Sequence, residues 1–150
     1  MRVLLDTTVL GFLCHRDREQ RERAEARLAA IQGKAPEALE LIVPELADFE
    51  LRRKLLHLGS RWSLAQLDRL TAELLYLPIT TAIMRDAARL WADARNRGSL
   101  TATLHGLDGD VILAAQALSV QGRVATTNRK HIAAFGVPVE DLGELTAKKT

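Results

Sequence analysis

Hydrophobic and polar residues alternate in blocks along the chain, and the first block sets the pattern. Residues 3–5 are aliphatic and are followed at once by Asp6 and two threonines. Apolar residues then recur at helical spacing from Val9 to Leu13. A short apolar run bounded by polar residues is typical of a buried strand, whereas the i, i+3, i+4 spacing is typical of an amphipathic helix. The pattern therefore predicts a strand that carries Asp6 at its carboxyl end.

Strand-like runs and helical patterns alternate through the rest of the sequence. Strands are predicted at residues 39–43, 76–79, 122–128 and 137–139. Helices are predicted at residues 16–31, 45–58, 64–75, 80–97 and 107–118, with a polar loop at residues 98–106. Strands separated by helices imply a parallel sheet with helices on both faces. We therefore expect the α/β class, as a three-layer α/β/α sandwich around a mainly parallel sheet of four to five strands.

Two helices carry sequence signals at their starts. Pro44 is expected to open the helix at residues 45–58, and Ser63 is expected to cap the helix at residues 64–75. The buried stripe of the first of these helices is predicted to be Ala47, Leu51, Leu55 and Leu58.

Composition indicates one ordinary globular domain. The 150 residues carry a formal net charge of +2 and a pI near 9.0, with 47% hydrophobic residues and a mean hydropathy of -0.04. We expect a single domain at residues 1–143 and a flexible tail at residues 144–150. Because no apolar run approaches the ~20 residues that cross a bilayer, we expect a cytoplasmic protein without membrane association. The single cysteine, Cys14, cannot form an internal disulfide and is expected to be buried.

Polar side chains occur where several of the predicted strands end. Asp6 follows the first strand, and Asn128 ends the strand at residues 122–128. Glu50 lies at the margin of the buried helix face after the second strand, and Asp110 lies near the start of a later helix. Because the carboxyl ends of parallel strands open on one crevice, we expect these four residues, with Thr8 nearby, to converge there.

Each of these residues also has an ordinary structural interpretation. Asp6 or Thr8 can cap the following helix, and Asn128 can be a turn residue. Glu50 can form an i,i+4 pair with Lys54.

Two acids, Asp108 and Asp110, open the helix at residues 107–118. Two positions apart on a helix, they point ~200° away from each other, so both cannot face one pocket. Asp108 is expected to be the N-cap and Asp110 to lie in the first turn. Alternatively, both acids only complement the helix dipole.

The expected set of side chains favours one chemistry. Three carboxylates packed together repel one another unless a cation neutralises them, and ligands that are all oxygen select Mg²⁺ or Mn²⁺. The sequence has no histidine-rich zinc spacing, no glycine-rich phosphate loop and no serine or cysteine nucleophile motif. An acidic site with a divalent metal fits the hydrolysis of phosphodiester bonds.

Four segments of the sequence carry a specific combination of residues. They are residues 4–10 (Leu-Leu-Asp-Thr-Thr-Val-Leu), 44–53 (Pro-Glu-Leu-Ala-Asp-Phe-Glu-Leu-Arg-Arg), 107–117 (Leu-Asp-Gly-Asp-Val-Ile-Leu-Ala-Ala-Gln-Ala) and 124–131 (Val-Ala-Thr-Thr-Asn-Arg-Lys-His). Their order and spacing over about the whole chain resemble the PIN-domain family, in particular its VapC-like toxins. The resemblance implies a Mg²⁺- or Mn²⁺-dependent endoribonuclease, usually a homodimer and often held inactive by a small antitoxin protein.

The resemblance also implies roles for individual residues. The family's three metal-holding, catalytic acids match Asp6, Glu50 and Asp110. Secondary ligands are Thr8, at a small polar position that supports the metal, Asn128, where many members have Asp, and Asp108. Candidates for contacts with the RNA phosphates are Arg52, Arg53 and Lys130. With Asp6 as the central metal ligand, the capping of the first helix is left to Thr7 or Thr8.

Two other functions remain open from the sequence. The first is a degenerate domain that binds RNA or a protein without catalysis, which the neutral Asn128 suggests. The second is a haloacid-dehalogenase-like phosphatase, whose opening Asp motif resembles residues 6–10. Such an enzyme needs a further acid downstream, where this sequence has Ala114.

Overall fold

Five parallel strands form the centre of the protein. The computed structural model describes residues 1–98 and 107–146. The strands are β1 (Arg2–Leu5), β2 (Glu40–Pro44), β3 (Leu75–Leu77), β4 (Arg123–Thr126) and β5 (Val139–Asp141), in the spatial order β3-β2-β1-β4-β5. Every pairing between neighbours is parallel. Because the chain order reverses between β1 and β4, the crevice beyond their carboxyl ends is the switch point at which parallel α/β sheets bind ligands.

Seven helices cover the two faces of the sheet within the described residues. They are α1 (Thr7–Leu13), α2 (Arg18–Lys34), α3 (Glu45–Leu58), α4 (Arg61–Glu73), α5 (Thr81–Asn96), α6 (Leu107–Ser119) and α7 (Arg129–Ala133). Val3 and Leu5 of β1 belong to a core with α1 to α4, whereas Leu4 between them belongs to a core with α5, α6 and α7. This alternation is the period-two pattern of a strand buried on both faces. The predicted α/β/α sandwich is therefore confirmed, with five strands.

The start of α4 differs from the prediction. Gly59 ends α3 in the left-handed conformation, at φ 64°, and α4 begins at Arg61 with Ser60 as its N-cap. Ser63 is therefore a buried residue inside the helix and not its cap. The reason is that glycine reverses the chain direction without strain, so the second helix begins immediately.

The buried face of α3 differs from the prediction at both of its ends. Ala47, Leu51 and Leu55 are buried as predicted, and Leu46 is buried in addition. Leu58, in contrast, is 62% exposed. It lies in the last turn, at a cavity between α1, α3 and α4, so it does not reach the sheet.

The part of the chain that packs against the core extends closer to the carboxyl terminus than the sequence indicated. Leu145 is 2% exposed and belongs to the core beneath α1 to α4, although the pattern had placed it in a tail. Residues 147–150 of that expected tail and residues 99–106 of the expected loop lie outside the described residues. Cys14 is buried, as expected. No helix in the described ranges has the length and apolar composition to cross a membrane.

Candidate active site

A cleft of about 290 Å³ lies at the switch point of the sheet. Its walls are formed by Asp6, Thr7, Thr8, Glu50, Gly109, Asp110, Leu113, Thr126, Asn128, His131 and Ile132. Five residues expected from the sequence to converge line this cleft: Asp6 directly after β1, Thr8 on α1, Glu50 on α3, Asp110 on α6 and Asn128 between β4 and α7.

Asp6 both caps a helix and faces the cleft. Its Oδ1 accepts a hydrogen bond of 2.8 Å from the backbone N–H of Val9, so the N-cap of α1 is Asp6 and not Thr7 or Thr8. The cap follows from chain geometry, because Asp6 is the last extended residue before α1 and its side chain reaches the third N–H of the helix. Burial raises the pKa of Asp6, repulsion from Asp110 adds to this, and hydrogen bonds from Thr126 and Val9 oppose it.

Glu50 is held by a residue of another helix. The Thr7 hydroxyl donates a hydrogen bond of 2.9 Å to Glu50 Oε1. The alternative pairing of Glu50 with Lys54 does not occur among the described ion pairs. On the other side, a Cβ at Gly109 would lie 3.5 Å from both carboxylate oxygens of Glu50, so the glycine lets the start of α6 approach this side chain closely.

The two acids of α6 occupy different places. Asp110 lies in the cleft, with its Oδ2 3.4 Å from Nδ1 of His131. Burial raises the pKa of Asp110; the nearby His131 opposes this shift, while repulsion from Glu50 adds to it. Asp108 is exposed and lines a separate cavity between α5 and α6. Because α6 already includes Leu107, Asp108 lies inside the first turn, and the prediction that it is the N-cap is wrong.

The end of β4 contributes a residue that sequence reasoning missed. Thr126 is 1% exposed, its hydroxyl accepts a hydrogen bond of 3.0 Å from the Asn128 N–H, and it also hydrogen-bonds to Asp6. Asn128 immediately precedes α7, but its side chain makes no capping hydrogen bond. The signal for Thr126 was present, because the polar end of β4 mirrors the polar residues that follow β1. Thr7, Gly109 and His131 had no comparable signal.

The three cationic residues expected to bind RNA do not line the cleft. Arg52 is bound to Asp48 at 3.0 Å and to Asp68 at 2.7 Å, so two carboxylates already compensate its charge. Arg53 lies over the ring of Phe49, 5.1 Å from its centroid. Lys130 is an exposed residue of α7, and its neighbour His131 is the residue that reaches the cleft.

The donor atoms of the cleft suit a hard divalent cation. Its acids supply only oxygen ligands. Burial and neighbouring acids raise the pKa values of Asp6 and Asp110, and a cation would stabilise the ionised forms of both carboxylates. Within residues 1–98 and 107–146, no three acidic, histidine or cysteine side chains yet meet as a formed metal cluster. In the present arrangement, Glu50 Oε1 is bound to Thr7.

The fold and the cleft together define an α/β/α protein with an oxygen-donor site at the switch point of its sheet. The PIN domain family model matches residues 3–136. The chain therefore belongs to the PIN domain family, a family of nucleases, which confirms the resemblance seen in the sequence. Ala114, where a haloacid-dehalogenase-like phosphatase needs an acid, is fully buried in the core, so this alternative is not supported.

Solved structures with the same fold are complexes of small bacterial proteins. VapBC2 from Rickettsia felis, bound to a DNA fragment from their promoter, has a TM-score of 0.73 at 14% identity over 94% of this chain and 98% of that chain. FitAcB from Neisseria gonorrhoeae has a TM-score of 0.68 at 21% identity, with 93% and 97% covered. DNA-bound VapBC from Salmonella typhimurium has a TM-score of 0.68 at 19% identity, with 95% and 98% covered. No curated protein matches the sequence.

Proposed function

We propose that the protein is a Mg²⁺- or Mn²⁺-dependent endoribonuclease. The observation that carries the proposal is that Asp6, Glu50 and Asp110, from three separate parts of the fold, line one cleft at the switch point. Two of these acids have raised pKa values, as expected of carboxylates that a cation would stabilise. Membership of the PIN domain family supports cleavage of phosphodiester bonds.

Each residue of the cleft has a definite task in this proposal. Asp6, Glu50 and Asp110 would hold the cation through their carboxylate oxygens. The bound cation supplies activation of water and neutralisation of charge on the phosphate. Thr126 keeps Asp6 in place through its buried hydroxyl, while Thr8 and Asn128, at the rim, are the polar groups that water or the RNA backbone meets.

We further propose that the protein is the toxin of a type II toxin-antitoxin pair. In support, the similar solved structures carry the names VapBC and FitAB, which are pairs of proteins. A small antitoxin would bind this chain, and the active form would be a homodimer. Coexpression with the protein encoded by the adjacent gene, followed by size-exclusion chromatography with light scattering, tests both points.

The activity is tested by cleavage of a mixed RNA pool with Mn²⁺ or Mg²⁺ and with EDTA. Asp6→Asn and Asp110→Asn should abolish cleavage, because each removes a charged ligand while keeping the shape of the side chain. Asp108→Asn is the matched control, since it makes the same change on the same helix outside the cleft. Full activity of Asp110→Asn together with loss of activity in Asp108→Asn would show that the third acid is assigned wrongly.

One observation favours a second function, a binding module without catalysis. The fourth position of the site, where many members of the family have Asp, is the neutral Asn128. Such a module would retain RNA unchanged in the presence of Mn²⁺. Metal-dependent cleavage by the wild type that is lost in Asp6→Asn would exclude it.

A further inference from the structure

A groove leads away from the catalytic cleft along α1, α3 and α4. It consists of two adjoining cavities of about 470 and 480 Å³, which share Arg16, Leu58, Ser60 and Ser63. Thr7 and Thr8 line both the cleft and the first cavity, so the groove adjoins the cleft at the start of α1. Trp62 lines its far end.

The first cavity has a mainly apolar lining, which includes Phe12, Leu51, Leu55 and Leu58, and basic side chains line the groove as well. His15, Arg16, Lys54 and Arg61 line it, and no acidic residue lies among the residues that form either cavity. In the part of the chain that the structure describes, Arg16, Lys54 and Arg61 form no ion pair, unlike Arg18, Arg23, Arg52, Arg69, Arg89 and Arg123. Three unpaired cations in a groove without acids attract a polyanion.

The groove also carries an aromatic ring at its far end. Trp62 is 39% exposed, and the guanidinium of Arg21 lies 4.7 Å from the centroid of its ring. Arg21 is fixed by hydrogen bonds of 2.7 and 2.9 Å to the carbonyl oxygens of His15 and Arg16. The guanidinium of Arg21 therefore covers one face of the indole, so a base would stack on the other face.

We propose that this groove binds single-stranded RNA on one side of the scissile phosphate, with cations on the phosphates and a base stacked on Trp62. The inference rests on the proposed ribonuclease function, because the groove adjoins the cleft in which the scissile phosphate would lie. Grooves for single strands combine cations along the backbone with aromatic platforms for bases, and both occur here. An acidic peptide could use the cations and the apolar lining of the first cavity, and it is the alternative occupant that the test distinguishes from RNA.

The cations are tested by the binding of a fluorescent RNA of about 12 nucleotides in EDTA, measured by anisotropy at several salt concentrations. Arg16→Gln, Lys54→Gln and Arg61→Gln should each weaken binding severalfold. Each should also reduce the slope of log affinity against log salt by about 0.7, the value for one phosphate contact on a single strand. The matched control is Arg85→Gln on α5, which makes the same charge change on the opposite face of the sheet and should change neither quantity.

The stacking contact has a different signature. Trp62→Ala should weaken binding about fivefold or more without changing the salt slope, whereas Trp62→Phe should retain most of the affinity. Melting temperatures in EDTA report whether any variant has lost its fold. If Trp62→Ala does not fold, the affinity of Trp62→Phe and the salt slopes of the three glutamine variants still test the proposal.

The outcomes separate this proposal from the proposed function. Wild-type affinity and salt slope in all three glutamine variants would overturn the groove as an RNA site. If the wild type cleaves RNA in that case, only the groove proposal fails. If the wild type does not cleave RNA but the variants lose affinity and slope, the ribonuclease proposal fails and the RNA-binding groove stands.

Discussion

The hydrogen bond from Thr7 to Glu50 predicts that Thr7, a residue outside the acidic set, controls metal affinity. The hydroxyl of Thr7 holds Glu50 Oε1 at 2.9 Å, in a partly buried position between α1 and α3. Thr7→Val removes this hydroxyl and keeps the branched shape of the side chain. Glu50 then becomes free to rotate in the metal-free protein.

The magnitude follows from the rotational freedom that Glu50 regains. Fixing a glutamate side chain costs roughly 1.5–2 kcal/mol, and in the wild type the bond to Thr7 has already fixed it. In Thr7→Val this cost falls on metal binding, and every 1.4 kcal/mol is a factor of ten, so Mn²⁺ should bind about tenfold more weakly. Loss of partners that orient metal ligands commonly costs about 10–100-fold in affinity, so the expected change is at the lower end.

The assay is titration with Mn²⁺, with the free ion measured by electron paramagnetic resonance and with no RNA present. Thr7→Ser keeps the hydroxyl and should bind Mn²⁺ within about twofold of the wild type, because the hydrogen bond of a charged group persists. Melting temperatures in EDTA show whether Thr7→Val has changed the fold. Equal or tighter Mn²⁺ binding by a folded Thr7→Val would refute the reasoning, since Thr7 would then hold Glu50 away from the ion.

Three further predictions concern stability and reactivity. Asp6→Asn should raise the melting temperature in EDTA at neutral pH, because burial raises the pKa of Asp6 above its ordinary 3.8 and so makes the ionised carboxylate unfavourable in the folded protein. At low pH, Asp6 is protonated in both the folded and the unfolded state, so the difference in melting temperature between variant and wild type should shrink as the pH falls from 8 to 4. A difference that grows as the pH falls would contradict the prediction. Arg52→Gln should cost about 1 kcal/mol in urea unfolding, since it breaks half-exposed pairs with Asp48 and Asp68, while RNA cleavage stays near the wild-type rate. Burial raises the pKa of Cys14 to about 12, so iodoacetamide at pH 8 should label it in urea and leave the folded protein unmodified, as mass spectrometry would detect.

Local patterns were sufficient for the fold and for the positions of the main acids. The aliphatic run before Asp6 and the alternation of strand and helix patterns determine a parallel sheet, because each strand is buried on both faces and each connection is a helix. Once the sheet is parallel, residues at the carboxyl ends of β1 and β4 lie side by side. Asp6 and Asn128 could therefore be placed in one cleft before any contact was known.

Contacts between distant side chains could not be predicted in this way. Thr7 and Glu50 are 43 positions apart, and their hydrogen bond depends on the packing of α1 against α3. The close approach of α6 at Gly109 likewise becomes visible only when Glu50 is placed. Arg52 was misinterpreted for the same reason, since its partner Asp68 lies on another helix.

From the sequence alone, the helix cap and the metal ligand are alternative roles for Asp6. Both roles are compatible, because a carboxylate offers about four lone-pair sites on two oxygens. Val9 N–H donates to Asp6 Oδ1, the Thr7 hydroxyl donates to Glu50 Oε1, and His131 lies beside Asp110 Oδ2, so protein contacts orient each acid of the cleft. Because an oxygen that accepts one hydrogen bond keeps a second lone pair, each acid retains capacity for a cation. The contacts that place Asp6, Glu50 and Asp110 are therefore compatible with the proposed cation site.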